Sequence, residues 1–79
     1  MLDIQVDLSS PERVQNFVTA ITRLDGTFDL IAGKYILDAR SIMGIFSLDL
    51  SAPVTLRIYT DTPETRAALQ PFAASSANG

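Results

Sequence analysis

The chain has 79 residues, 47% of them apolar and 19% charged, with a net charge of −3 at neutral pH. That length holds one domain with a modest core, and the composition is that of a folded protein rather than a disordered one. The absence of cysteine and histidine excludes a disulfide framework, a thiolate or imidazole metal site and imidazole acid–base chemistry. No stretch concentrates Lys and Arg, so the electrostatic footprint of nucleic-acid binding is missing. No apolar run approaches the roughly 20 residues that span a bilayer. The start, Met1-Leu2-Asp3-Ile4, lacks the basic-then-apolar pattern of a signal peptide. The expectation is a soluble, cytoplasmic protein.

Leu2, Ile4, Val6 and Leu8 alternate with Asp3, Gln5 and Asp7, the period of a half-buried strand. Ser10-Pro11 then gives a helix start, a capping hydroxyl followed by the ring that suits the first helical position. Val14, Phe17, Val18, Ile21 and Leu24 follow at helical spacing, and Asp25-Gly26 is expected to end the helix. Residues 27–39 read as a β-hairpin turning at Gly33-Lys34. Ser41 opens a short apolar segment, Ile42-Met43-Gly44-Ile45-Phe46, in which glycine argues against helix by propensity. Val54, Leu56 and Ile58 mark a fourth strand, and Thr62-Pro63-Glu64 starts a last helix that Pro71 stops near Gln70. This order predicts an α+β open-faced sandwich, with a four-stranded antiparallel or mixed sheet and helices on one face. The domain is expected over residues 1–72, with a tail over 73–79 that carries no structural signal.

The segment Arg40-Ser41-Ile42-Met43-Gly44-Ile45-Phe46-Ser47-Leu48 resembles the stretch around the regulatory serine of the histidine-containing phosphocarrier (HPr) family. There a run Lys-Ser-Ile-Met-Gly-Val-Met-Ser-Leu is characteristic. Gly33-Lys34 matches that family's hairpin turn, and the element order β-α-β-β-α-β-α is also the family's, so the resemblance covers most of the chain. It implies membership of the bacterial sugar phosphotransferase system. An ungapped match places Ser10 at the family's phosphorylated histidine and Glu12 at its arginine; a one-residue slip would give the arginine role to Arg13. No slip supplies a histidine. A serine hydroxyl without an adjacent base is a weak nucleophile, and a carboxylate at position 12 repels an incoming phosphoryl group. Relay of phosphate through this site is therefore not expected, and Ser10 reads first as a helix cap.

By resemblance, Ser41 is the site of regulatory phosphorylation. Arg40, Ile42, Met43 and Phe46 form the partner-binding surface, and the partners are the HPr serine kinase and a catabolite-control transcription factor or other phosphotransferase-system proteins. The residues argue independently that Ile42, Met43, Ile45, Phe46, Leu48 and Leu50 cannot all reach one core from so short a segment. No phosphate loop, nucleophile elbow or paired-carboxylate motif points to an enzyme, and no cofactor or metal is expected. The rival reading is a structural or interaction domain that keeps the fold without the signalling; phosphotransfer at another residue ranks last. Since Pro71 shortens the last helix, Phe72 is expected to fold back over the exposed edge, with dimerisation through that region as a further expectation.

Overall fold

The fold is described from a computed structural model covering residues 1–74. Four strands, β1 (Leu2–Val6), β2 (Phe28–Ala32), β3 (Tyr35–Asp38) and β4 (Val54–Ile58), form one antiparallel sheet in the order β1-β4-β2-β3. Helices α1 (Pro11–Thr22), α2 (Ile42–Phe46) and α3 (Pro63–Leu69) are followed by a 3₁₀ turn over Gln70–Phe72. This is the expected α+β open-faced sandwich.

Strand alternation sets the two faces. Val6, Phe28, Leu30, Leu56 and Ile58 are buried with Val14, Phe17 and Ile21 of α1, Ile45 of α2 and Leu69 of α3. The opposite face carries polar cross-strand pairs. Arg57 donates to both carboxylate oxygens of Asp3 (2.9 and 3.0 Å), Tyr59 Oη donates to Asp29 (2.7 Å), and Gln5 Nε2 donates to Thr55 Oγ1 (2.8 Å). Such pairs are worth little individually, but they fix which face meets water.

The starts of α1 and α3 follow the serine/threonine–proline chemistry. Ser10 Oγ accepts from the Arg13 amide (3.2 Å), and Thr62 Oγ1 accepts from the Thr65 amide (3.1 Å). The β2–β3 turn has Gly33 at φ +60 and no positive φ at Lys34, the pattern of a hairpin turn with glycine at its first central position.

Two boundaries differ from expectation. Helix α1 ends at Thr22, before Gly26: the Arg23 and Leu24 amides fold back on the Ala20 and Ile21 carbonyls (3.2 and 3.0 Å), and the Arg40 guanidinium donates to the carbonyls of Leu24 (2.9 Å) and Ile21 (3.4 Å). Gly26 instead adopts φ +108 in the loop that follows. Residues 73 and 74, expected to belong to the tail, are also bonded to the sheet. Ala73 bridges Val6, the Asp7 amide donates to the Phe72 carbonyl (2.8 Å), and the Ala74 amide donates to the Gln5 carbonyl (2.8 Å). The outer edge of β1 is thus paired at its Gln5–Asp7 end by Phe72–Ala74. The rest of the expected tail, residues 75–79, lies outside the described residues.

Candidate functional site

Two places were singled out by the sequence, and their local chemistry differs. At the start of α1, Ser10 is half-buried with its oxygen engaged as the helix cap, while Glu12 is exposed. Arg13 Nε donates to the Asp7 carbonyl (2.7 Å), Nη2 donates to the Pro71 carbonyl (3.2 Å), and the guanidinium lies 6.0 Å from the Phe72 ring centroid. The arginine made available by a one-residue slip is therefore occupied in holding the C-terminal turn against α1. Hydrogen bonds from Ser9 hold the Asp7 carboxyl below the ordinary range, and Arg13 adds to this. Glu12 on the first turn and Asp7 just before the helix are both carboxylates, so the charge carried by this segment opposes an incoming anion.

At the start of α2 the arrangement is open. Ser41 is exposed, and its hydroxyl makes no capping bond. The Ser41 carbonyl accepts from the Ile45 amide (2.9 Å), and the Ile42 amide donates to the Arg40 carbonyl (3.1 Å). The amides of Met43 and Gly44 have no hydrogen-bond partner among the described residues, as expected for the first turn of a helix. Met43 is 81% exposed and Phe46 44%, whereas Ile45 is fully buried and Ile42 is half-buried against the core. The expected surface thus divides: Met43 and Phe46 face out, and Ile42 mainly packs.

Gly44 positions this helix. A side chain there would bring its Cβ to 3.3 Å from Leu37 Cδ1, so glycine lets α2 lie close on β3. Arg40, the remaining residue of the expected surface, lies 5.4 Å from the Phe28 ring centroid with its guanidinium on the α1 carbonyls. Its hydrogen bonds hold α1, and its closeness to Ser41 is one of sequence.

Other features emerge only in three dimensions. A cleft of about 600 Å³ lies between the β2–β3 turn and the segment after α2, lined by Ile31, Tyr35, Leu48, Asp49 and Thr55 among others. Its carboxylate, Asp49, accepts from both the hydroxyl (2.7 Å) and the amide (3.1 Å) of Ser51, which hold it below the ordinary range. Tyr35 and Ile36 of β3 are 69% and 65% exposed. The sequence carried no signal for this, since a fourth strand follows the hairpin and only the topology seats it against β2, leaving β3 at the edge. Among the described residues, no cluster of three or more acidic side chains is arranged to hold a metal ion, and no helix is long and apolar enough to cross a membrane.

No family model, curated protein or solved structure matches the chain.

Proposed function

We propose that this chain is an HPr-like regulatory or binding module that does not relay phosphate through histidine and is recognised through Ser41 and the adjoining Met43–Phe46 surface. The observation that carries the reading is the free, exposed Ser41 hydroxyl at the start of α2, beside two exposed apolar side chains. A serine serving as a cap would have its oxygen on an amide of the first turn, as Ser10 does.

Transfer of the γ-phosphoryl group of ATP to Ser41 Oγ, with loss of the hydroxyl proton and release of ADP, would place a dianion beside the unpartnered Met43 and Gly44 amides. Charge-assisted bonds from those amides would hold it. Arg40 is engaged on the α1 carbonyls, so the backbone supplies the contacts. The partners that fit are those implied by the resemblance: the HPr serine kinase, and a catabolite-control transcription factor or other phosphotransferase-system proteins. The cytoplasm is the compartment where they meet.

Intact-mass analysis after incubation with the HPr serine kinase and ATP tests this, with Ser41→Ala as control. One added phosphate that disappears in the control supports the module. No phosphate on folded chain, while authentic HPr is modified in parallel, overturns it. The second reading, a domain that kept the fold alone, is favoured by the use of Ser10, Arg13 and Arg40 as structural clamps, and it would then lead.

A further inference from the structure

We propose that two copies of this chain pair through β3, edge to edge and antiparallel, about a two-fold axis at Ile36, joining their sheets into one of eight strands. The two edges of the sheet are not equivalent. That of β1 is partly paired by Phe72–Ala74, whereas β3 has β2 on one side and, among the described residues, no strand on the other.

The free hydrogen-bonding groups of β3 can be assigned from the ladder. Ala39 N–H donates to the Phe28 carbonyl (2.9 Å), and Leu37 and Tyr35 stand opposite Leu30 and Ala32. Backbone groups alternate in direction along an antiparallel strand. The odd-numbered residues therefore bond to β2, and Ile36 and Asp38 turn their amides and carbonyls toward the open edge. The Asp38 carbonyl already accepts from Ser41 N–H (3.0 Å), so the groups open to a partner are both backbone groups of Ile36 and the Asp38 amide.

An antiparallel partner must set even-numbered residues opposite even-numbered residues, which restricts the two-fold to residue 35, 36 or 37. Centring on Leu37 sets Lys34 opposite Arg40, two like charges. Centring on Tyr35 leaves Asp38 opposite Ala32. Centring on Ile36 sets Lys34 opposite Asp38 twice, Ile36 opposite itself and Tyr35 opposite Leu37.

This last register answers three features of the isolated chain. Lys34 and Asp38 form no ion pair among the described residues. Asp38 stands directly opposite Asp29 on β2, a like-charge pair that a lysine on its other side offsets. Ile36, 65% exposed beside Ile31, gains a second isoleucine and extends an apolar row across the junction. The occupant of this edge is therefore a second copy of the chain. A four-residue strand contact is at the small end of specific interfaces, so the association is weak and concentration-dependent.

Sedimentation equilibrium tests the proposal. The mass of the wild-type chain is expected to rise from 8.6 kDa toward twice that between about 10 µM and 1 mM, the range of a small interface. Lys34→Glu sets like charges opposite each other twice and is expected to weaken pairing at least about tenfold. Mixing Lys34→Glu with Asp38→Lys recreates two opposite-charge pairs and restores association above that of either variant alone. Because Asp38 also accepts from the Arg40 amide, Asp38→Lys is checked for folding by circular dichroism. If it unfolds, Ile36→Lys, at an exposed position, is expected to abolish pairing. A wild-type mass that stays at the monomer value to about 1 mM, or pairing that Lys34→Glu and Ile36→Lys leave unchanged, overturns the proposal.

Discussion

Replacing Phe72 with alanine removes the side chain that joins the C-terminal turn to the core. Phe72 is 9% exposed, its ring meets Phe17 edge to face at a centroid distance of 5.5 Å, and the Arg13 guanidinium lies 6.0 Å from its centroid. Truncating a buried phenylalanine costs about 3–5 kcal/mol, of which the edge-to-face contact accounts for about 0.5–1.5. A domain of 79 residues has about 4–12 kcal/mol in total at the usual stability per residue. Phe72→Ala should therefore leave the chain at the margin of folding. Urea denaturation followed by circular dichroism reads the loss, and Phe72→Leu, which keeps most of the apolar area, should lose less than half as much. A double-mutant cycle with Phe17→Leu should return a coupling of about 0.5–1.5 kcal/mol. A loss below about 1 kcal/mol for Phe72→Ala would show that the C-terminal turn is not part of the cooperative fold, and would refute the role given to Arg13 as its clamp.

Met43→Glu, at an 81% exposed position, should change stability by less than about 0.5 kcal/mol yet abolish binding of any partner that docks on α2; calorimetry and titration read the two separately. Gly44→Val should destabilise by about 1–3 kcal/mol and lower Tm, because its side chain meets Leu37. Acid should also weaken the fold. The carboxyls of Asp3 and Asp61, bonded to Arg57 and Arg66, and those of Asp7 and Asp49, bonded to Ser9 and Ser51, titrate below their ordinary values. Depressed folded values mean that this contribution is complete above about pH 4, the value for a free aspartate. It is lost as pH falls through the folded values, and Asp3→Asn should flatten the acid limb of a stability–pH curve. Tyr59, raised by donating to Asp29, acts in the opposite sense: its contribution is present below about pH 10 and lost as pH rises further.

Elements governed by local chemistry were legible in the sequence. Ser10-Pro11 and Thr62-Pro63 mark helix starts because capping and proline geometry act within three residues. Period-two alternation located the strands, and Gly33 located the hairpin. What the sequence hid depends on distant partners. Arg13 reaches Pro71 across 58 positions, and Arg40 reaches Leu24 across 16. Read alone, Arg13 could fill the family's arginine role and Arg40 belongs to a partner-binding surface; in the fold, each donates to carbonyls distant in sequence. Helix α1 ends before the glycine that marks it in the sequence, since the Arg23 and Leu24 amides close its last turn and Arg40, distant in sequence, binds the carbonyls of Leu24 and Ile21. The pairing of Ala73 with Val6 had no signal either, because alanine has little strand preference. At α2, composition showed an excess of apolar residues, but contact with β3 and α1 decides that Ile45 is buried and Met43 is not.

The most direct test of the central claim is to follow the amide spectrum of ¹⁵N-labelled chain during incubation with the HPr serine kinase and ATP. The account predicts one phosphomonoester signal by ³¹P NMR, with the largest amide shifts at Ser41, Met43 and Gly44 and little change at Ser10 or Arg13. A spectrum that stays unchanged, or a phosphate whose shifts centre on the start of α1, would contradict it.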